Sequence, residues 1–384
     1  MALPLLAVAA LHCGSAPPAA DSFYAPPGGG HLARPGDIIR SEPLKGAPPG
    51  ASAWKVLYVS TGLDGEPIAV SGVVIAPDLP APASGRPIVA WAHPTTGVAD
   101  SCAPSNSRDF FDTIPHLPAL LALDYVVAAT DYPGLGTSGP HPYLVGVSEG
   151  RAVLDSVRAA RRLEKAGAGP RFAAWGHSQG GQAVLFAGQL ARSYAPELSL
   201  AGVAAIAPAT ELAQLLRDDV DERAGKVVAA YSLWSWSRVY GVPLEGVVTP
   251  ASVAAIDRVA RDCVETVGED YRVGFASIEL REGFLSPEAF TREPWSRLLA
   301  QNRPGAEPIG SAIYIAQGAD DPIVRPSVTA DFVRDLCGRS EVVRFEELPG
   351  IGHLRAAHAS ATSAVQWMQA RFESRPAPNT CPPR

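Results

Sequence analysis

GHSQGG, at residues 176–181, stands between an apolar run at residues 171–175 and a segment at residues 182–187 that has the composition of a helix. The order is strand, glycine-flanked serine, helix. Ser178 is therefore expected at a sharp strand-to-helix turn, where its small neighbours let the backbone fold tightly and leave the hydroxyl exposed. The pattern G-x-S-x-G is weak evidence by itself, so its surroundings must support the interpretation.

The flanking segments predict an α/β fold with a mostly parallel sheet. Short, nearly continuous apolar runs are typical of central strands buried on both faces, and they alternate with helical segments. The runs are residues 87–92, 125–130, 171–175 and 200–207, with a helical stretch at residues 148–166. Ligand sites of such sheets open at the carboxyl ends of the strands. Ser178 lies at such an end, and so do the segments at residues 93–97 and 131–136.

The N-terminal residues predict a leader at residues 1–20. Residues 1–11 form an apolar segment of secretory length, although no lysine or arginine precedes it. Cys13 loosely fits a bacterial lipoprotein cleavage box, so lipidation is the alternative to a cleaved soluble signal. Residues 14–50 are rich in proline, glycine and alanine, and we expect no regular structure there.

The core is predicted in two parts, residues 21–209 and 307–384. The first part begins with a hairpin of strands at residues 54–61 and 68–75, joined through the turn dipeptide Asp64-Gly65. The second part contains strands at residues 311–316 and 341–345 and a last helix at residues 356–372. Between the two parts, residues 210–306 predict a helical cap. Its helices are expected at residues 211–217, 223–240, 252–266 and 287–301.

Composition and charge exclude several classes of function. The chain has 384 residues, of which 47% are apolar, and a net charge of −7 with no basic stripe. Nucleic acid is therefore not an expected partner. Outside the N-terminus no apolar run reaches the roughly 18 residues that a spanning helix needs, so no transmembrane segment is expected in the mature chain. No cysteine spacing is typical of zinc, and no metal or organic cofactor is predicted.

The five cysteines favour export. Without Cys13 an even set remains, and four cysteines allow three disulfide connectivities. The set is Cys102, Cys263, Cys337 and Cys381. We expect two disulfides, formed in an oxidising compartment. The alternative is four separate buried thiols.

Two residues after later strands complete a triad with Ser178. A serine becomes nucleophilic when a histidine removes its proton and a third group orients that histidine. Asp321 and His353 each follow a predicted strand, and the order Ser, Asp, His is that of α/β-hydrolases. We prefer Asp321 to Asp320 because Pro322 holds it in an extended conformation.

The other histidines near these segments fit the role of base less well. His353 lies in a glycine-containing loop after a strand, whereas His358 already enters the last helix. His177 precedes the serine directly, and a residue there usually packs, so no proton transfer is assigned to it.

The tetrahedral intermediate needs hydrogen-bond donors for its oxyanion. The usual donors are the amide after the nucleophile and one from the loop after an earlier strand. Gln179 supplies the first, and the amide of Thr95 is the predicted second. The alternative for Thr95 is an ordinary polar turn.

With these motifs in place, the chain resembles the secretory lipase family of α/β-hydrolases nearly throughout. That family includes fungal lipase A-type enzymes and many bacterial esterases. The matching stretches are residues 21–24, 35–40, 58–61, 93–97 with 102–105, 131–136, 141–144, 176–181, 318–324 and 352–353. The chain departs from the family at Pro94, where many members carry glycine, and in the cap.

The resemblance implies a nucleophile, an acid and a base at Ser178, Asp321 and His353, and a helical cap before the aspartate strand. It also suggests the disulfide pairing that we prefer, Cys102 with Cys263 and Cys337 with Cys381. The expected activity is that of a secreted lipase or esterase acting through an acyl-enzyme on a small ester or lipid, with a lipid interface as a further partner. The alternatives are a peptidase or amidase of the same fold and a binding protein on a hydrolase scaffold.

Aromatic residues are the predicted substrate contacts. Tyr231, Trp234 and Trp236 form an aromatic-rich segment of the cap, and Tyr132 lies in the loop after the second apolar run. The sharper hypothesis is a wall for an acyl chain. The preferred alternative for the cap aromatics is that they dock the cap on the core, because aromatic side chains dominate ordinary cores.

Overall fold

The computed structural model describes residues 23–25, 34–218, 223–267, 270–272, 280, 283–286 and 288–383. The predicted leader at residues 1–20, including Cys13, lies outside the described residues. So do parts of the predicted cap.

A mixed sheet of nine strands organises the described residues. Its order is β1-β2-β3-β5-β4-β6-β7-β10-β11, and β8 pairs with β9 apart from it. The first three strands pair antiparallel, and the pairs from β5 to β11 are parallel. The strands are β1 Ile38–Leu44, β2 Ala51–Thr61, β3 Pro67–Pro77, β4 Arg86–Ala92, β5 Val126–Thr130, β6 Ala168–His177, β7 Ser199–Ile206, β8 Glu265–Val267, β9 Asp270–Arg272, β10 Ile313–Gly318 and β11 Val343–Leu348.

Helices cover both faces of the sheet, and four of them lie between β7 and β10. The helices are α1 Leu117–Ala122, α2 Gly146–Arg162, α3 Gln179–Tyr194, α4 Leu212–Asp218, α5 Arg223–Val239, α6 Pro250–Val259, α7 Trp295–Gln301, α8 Pro326–Gly338, α9 Ala356–Ala359 and α10 Ala361–Phe372. Short 3-10 turns lie at Asp100–Cys102, Pro104–Asn106, Phe110–Thr113, Glu164–Ala166 and His353–Arg355. The order of elements is that of the predicted α/β fold.

Alternation along the strands divides the core into two layers. In β4, Ile88 and Ala90 pack in one cluster with α2, α3 and α8. Val89 and Trp91 pack in another with α1, α9 and α10. Successive side chains of a strand point to opposite faces, so a continuous apolar run supplies both layers. This is why the central strands were recognisable as unbroken apolar runs.

A third cluster joins the α4–α7 region to loops of the sheet. It contains buried side chains of α4, α5, α6 and α7, among them Trp236 and Trp295. Tyr143 and Leu144, which precede α2, belong to the same cluster, and so does Val324 after β10. The helices therefore pack over the carboxyl ends of the parallel strands, where the predicted site lies.

β1 corrects the expectation that residues 14–50 lack regular structure. Ile38–Leu44 pairs antiparallel with β2 along the margin of the sheet. Pro43 lies inside this strand, opposite Trp54. A proline is tolerated on an edge strand because one row of backbone donors is not needed for pairing. The proline that argued against a strand is thus compatible with this position.

Two predicted helices were too long, and a third is interrupted. α6 ends at Val259 rather than at residue 266, because the chain turns at residues 260–262 and Cys263 is then held by a disulfide. α7 begins at Trp295 rather than at residue 287, because Pro294 lacks an amide donor and restricts the residue before it. The last helix is split at Ser360, whose hydroxyl bonds back to the Ala356 carbonyl.

Candidate active site

Ser178 occupies the turn between β6 and α3 in a strained conformation. Its φ is 57° and its ψ is −115°, which is rare for a residue with a side chain. Three backbone bonds hold it there: its amide donates to the Ile206 carbonyl at 2.9 Å, and its carbonyl accepts from the amides of Gln182 at 3.1 Å and Ala209 at 3.3 Å. A Cβ on Gly180 would lie 1.9 Å from the Ala92 carbonyl oxygen. Only glycine allows α3 to approach β4 this closely.

Ser178, His353 and Asp321 meet at the carboxyl end of the sheet. His353 Nε2 lies 2.8 Å from Ser178 Oγ, and His353 Nδ1 lies 2.7 Å from Asp321 Oδ2. All three residues are buried. With the ring proton on Nδ1 donated to the carboxylate, Nε2 is free to accept the serine proton, which is the arrangement of a serine nucleophile with its base and orienting acid.

The environment of Asp321 keeps its carboxylate charged. Burial acts to raise the pKa of Asp321, but the adjacent His353 ring and two backbone amides outweigh it, so the pKa lies below its ordinary value. The amides of Ile323 and Val324 both donate to Oδ1 at 2.8 Å. Gln317 Nε2 donates to Oδ2 at 2.9 Å. These donors hold the carboxylate beside His353 and favour its charged form.

The other candidates for the acid and the base do not make the contacts that Asp321 and His353 make with Ser178 and with each other. Asp320 is exposed and does not share the His353 contact. His358 is exposed in α9. His177 is buried beside the His353 ring, with its Nε2 donating to the His353 carbonyl at 3.0 Å. Burial, followed by the neighbouring His353 ring, lowers the pKa of His177 to about 3, so the ring is neutral and supports the His353 loop.

An apolar cavity opens beside Ser178. Its volume is about 700 Å³ including its mouth, and most of its wall is aliphatic. The segments after β7 and β10 contribute, together with α4 and α5. Prominent members of the wall are Leu212, Leu215, Leu216, Val227, Val228 and Ile323. The sequence analysis did not identify these residues as site residues. The only signal was the helical spacing of the three leucines in a predicted cap helix.

The two predicted oxyanion donors face this cavity. Gln179 and Thr95 line it together with Ser178. Gln179 is the first residue of α3, so its amide has no acceptor within the helix. The hydroxyl of Thr95 lies 2.8 Å from the Tyr143 hydroxyl. That contact holds the loop after β4 against the segment before α2.

The four predicted aromatic contacts are not part of the cavity wall. Tyr132 is fully buried, and its ring lies 4.4 Å from that of His93 in the loop after β4. Trp236 donates from Nε1 to the Tyr143 carbonyl at 2.8 Å, and Tyr231 packs edge-on against the Tyr143 ring. Trp234 carries the guanidinium of Arg238 over its ring at 4.3 Å. These contacts favour the docking role over direct substrate contact.

Two disulfides join the segments that the preferred pairing linked. Cys102 bonds Cys263 with a Cα–Cα distance of 5.3 Å, which ties the turn after the Thr95 loop to the segment after α6. Cys337 bonds Cys381 with a Cα–Cα distance of 5.4 Å, which ties α8 to the C-terminal tail. The first bridge therefore connects the candidate site to the helices above it.

The described residues 23–25, 34–218, 223–267, 270–272, 280, 283–286 and 288–383 were compared with the requirements of a membrane span and of a metal site. No helix within them is both long enough and apolar enough to cross a bilayer. In the same part of the chain, no group of three or more histidine, cysteine, aspartate or glutamate side chains is arranged to hold a metal ion.

Comparison with known proteins gives a consistent family and fold. A model of the family described as secretory lipase matches residues 112–380. A secreted triacylglycerol lipase of Malassezia globosa is 25% identical over 390 residues, covering 94% of this chain and 81% of the relative. A trichothecene C-3 esterase of Fusarium sporotrichioides is 25% identical over 387 residues, covering 93% and 84%.

A solved structure shows the same fold at low sequence identity. Lipase A of Candida antarctica in its closed state superposes with a TM-score of 0.75 at 19% identity, covering 94% of this chain and 87% of that one. The fold is therefore that of the α/β-hydrolases, as predicted.

Proposed function

The chain belongs to the secretory lipase family, and from that premise we propose that it hydrolyses carboxylic esters through a covalent acyl-enzyme on Ser178. The observation that supports the proposal most directly is a chain of two contacts. Ser178 Oγ lies 2.8 Å from His353 Nε2, and His353 Nδ1 lies 2.7 Å from Asp321 Oδ2. This geometry lets one histidine take the serine proton and remain oriented while it does so.

In the first half of the reaction, Ser178 Oγ forms a bond to the ester carbonyl carbon while its proton moves to His353 Nε2. The carbonyl oxygen becomes an oxyanion. When the tetrahedral intermediate collapses, the bond to the alcohol oxygen breaks, and His353 gives its proton to that oxygen. In the second half, water attacks the acyl-enzyme by the same route, and the acid leaves. Asp321 stabilises the imidazolium that forms in each half.

The oxyanion is stabilised by backbone amides. We assign this role to the amides of Gln179 and Thr95, two residues that line the cavity together with Ser178. Such donors act only when negative charge develops on the oxygen, so they lower the barrier rather than tighten substrate binding.

The acyl part of the substrate is the best match for the cavity. Its wall is aliphatic on the side of α4 and α5, and a hydrocarbon chain there removes apolar surface from water. Residues 210–306 are then the cap that forms this wall and excludes water from the reaction. The relatives named above include a secreted triacylglycerol lipase and an esterase, which supports export and leaves lipid or smaller esters as the substrate.

A chain-length series tests the proposal. Purified protein is assayed with p-nitrophenyl esters from acetate to palmitate and with a triolein emulsion, and it is labelled with a fluorophosphonate that reacts with activated serines. We expect labelling at Ser178 and ester turnover. Matched anilides should be cleaved far more slowly, and anilide turnover equal to that of the esters would favour a peptidase or amidase instead. A protein that is neither labelled nor active on any ester refutes the proposal.

A further inference from the structure

A buried polar cluster lies directly behind the nucleophile turn. It consists of Glu149 from α2, Gln179 at the start of α3, and His141 from the segment before α2. Glu149 and His141 are fully buried, and Gln179 is almost so. No step of the mechanism above uses Glu149 or His141. Both nevertheless contact the side chain of Gln179, the residue whose amide we assign to the oxyanion.

The hydrogen bonds of the cluster have a defined direction. Gln179 Nε2 donates one hydrogen to Glu149 Oε1 at 2.8 Å and lies 3.0 Å from His141 Nε2. His141 Nδ1 donates to the Pro133 carbonyl at 2.8 Å, so its Nε2 is free to accept the second hydrogen from Gln179. The Leu144 amide also donates to Glu149 Oε1, at 2.9 Å. Glu149 therefore joins the start of α3 to the segment before α2.

The surroundings of Glu149 disfavour a negative charge. The titratable groups that face it are His141, at 3.9 Å, and the phenols of Tyr132 and Tyr240, whose raised pKa values reflect burial first and Glu149 also. Among the described residues no lysine or arginine forms an ion pair with it, and its Oε2 has no hydrogen-bond partner there. Burial raises the pKa of Glu149 to about 8 and lowers the pKa of His141 to about 3, so both are neutral at pH 7.

We propose that Glu149 is a positioning residue of the oxyanion site, which anchors the Gln179 side chain and so holds the Gln179 amide toward the oxyanion. The inference rests on the proposed ester hydrolysis. Gln179 begins α3, where the backbone amide has no intrahelical acceptor to fix it. Anchoring the side chain restricts the rotation of that peptide. Small displacements of an oxyanion donor are costly, because its contribution depends on a preorganised geometry.

The charge of Glu149 should affect the reaction in addition to its hydrogen bond to Gln179. An ionised Glu149 would place a buried negative charge next to the residue that stabilises another negative charge in the transition state. Charges interact strongly in a low-dielectric interior, so ionisation should slow the acylation step. The cluster consequently predicts loss of turnover on the alkaline side of pH 8.

Two substitutions of Glu149 distinguish the effect of its hydrogen bonds from the effect of its charge. Glu149→Met keeps the length of the side chain but removes the acceptor for Gln179 and Leu144. Glu149→Gln keeps an acceptor oxygen and cannot ionise. Leu154→Met is the matched control, because it places the same side chain at another fully buried position of α2. Each protein is normalised to its concentration of active sites by fluorophosphonate titration, so unfolded protein does not contribute to the measured kcat.

We expect Glu149→Met to lower kcat by roughly 10- to 100-fold with a smaller change in KM, because a transition-state contact is weakened. Glu149→Gln should restore kcat to within about threefold of the wild type at pH 7, as expected when a neutral acceptor is sufficient. It should also extend turnover of an alkyl ester above pH 8, where the wild type declines.

Two results overturn the proposal. One is a kcat for Glu149→Met equal to that of Leu154→Met. The other is an alkaline decline in Glu149→Gln that matches the wild type, or a wild type without any decline. Failure of the proposed function is distinguishable, because the wild type would then be neither labelled nor active. A labelled, active wild type with an unaffected Glu149→Met refutes the positioning role alone.

Discussion

His353 Nε2 lies 2.8 Å from Ser178 Oγ, although the two residues are 175 positions apart in the chain. Ser178 follows β6 and His353 follows β11, and β7 and β10 separate these strands in the sheet. The parallel order explains the contact, because all carboxyl ends of parallel strands lie at one edge. The loops beyond that edge then converge over the centre of the sheet.

The identity of the acid is tested by comparing two neighbouring aspartates. Asp321→Asn should lower kcat by roughly four orders of magnitude, because the amide no longer holds the imidazole in the required tautomer. Asp320→Asn is the control, since this exposed carboxylate lies outside the contact with His353. Steady-state kinetics on one p-nitrophenyl ester suffice. Equal losses in the two variants would show that the acid is assigned to the wrong residue.

Acyl-chain selection should depend on the α4 side of the cavity. Leu215→Trp narrows the space beside Ser178, so we expect kcat/KM for long acyl esters to fall by about tenfold or more relative to acetate, an effect of the size expected for a few excluded methylenes. Gln214→Trp makes the same change one position earlier, where the side chain is not part of the cavity wall. A chain-length profile that Leu215→Trp leaves unaltered would contradict the assignment of the cavity.

Removal of the Cys102–Cys263 bridge should lower both the free energy of unfolding and kcat. Replacing both cysteines by serine is expected to cost about 2–5 kcal/mol of unfolding free energy, as for native disulfides generally. It also frees the segment after α6 from the turn that follows the Thr95 loop. Removal of Cys337–Cys381 should lower stability but change kcat less, because that bridge lies at α8 and the C-terminal tail. The two double variants are compared by chemical denaturation and by kcat per active site.

Glu149 should make the folded protein less stable as the pH rises. Its folded pKa is about 8 against an ordinary value of 4.5, so between these values the unfolded chain has released a proton that the folded chain retains. The unfolded state therefore binds fewer protons, and the unfolding free energy falls with increasing pH. The stability of Glu149→Gln relative to the wild type should rise from pH 5 to pH 8. The free energy of unfolding of both proteins is measured by chemical denaturation at pH 5 and at pH 8. If the difference between Glu149→Gln and the wild type is the same at both pH values, the pKa of Glu149 is not raised.

The sequence predicted the site best where the residue types of a short segment and the order of the segments along the chain indicate the same structure. The glycines beside Ser178 predicted a sharp turn, and the position of Ser178, Asp321 and His353 after three predicted parallel strands indicated that they lie at one edge of the sheet. The fold could be predicted for the same reason, because buried strands are unbroken apolar runs. The choice of Asp321 over Asp320 came from local signals, Pro322 after it and Gly318 at the start of the turn, and it agrees with the burial of one carboxylate and the exposure of the other.

Features that depend on tertiary packing were not predictable from the sequence. Leu212, Leu215 and Leu216 read as an ordinary amphipathic face, and only the docking of α4 over the strand ends brings them beside Ser178. Glu149 lies near the start of the helix predicted at residues 148–166, and the sequence analysis gave it no role. Its burial follows from the approach of α3 and the segment before α2, which no local pattern specifies. β1 was missed because pairing with β2 outweighs an unfavourable composition.

The most direct measurement is the turnover of Ser178→Ala beside that of Ser193→Ala, which replaces an exposed serine near the end of α3. If Ser178 is the nucleophile, its replacement should lower kcat by roughly five to six orders of magnitude and abolish fluorophosphonate labelling, while the thermal unfolding temperature changes little. Ser193→Ala should retain both activity and labelling. Ester turnover by Ser178→Ala at the level of Ser193→Ala would contradict the acyl-enzyme mechanism.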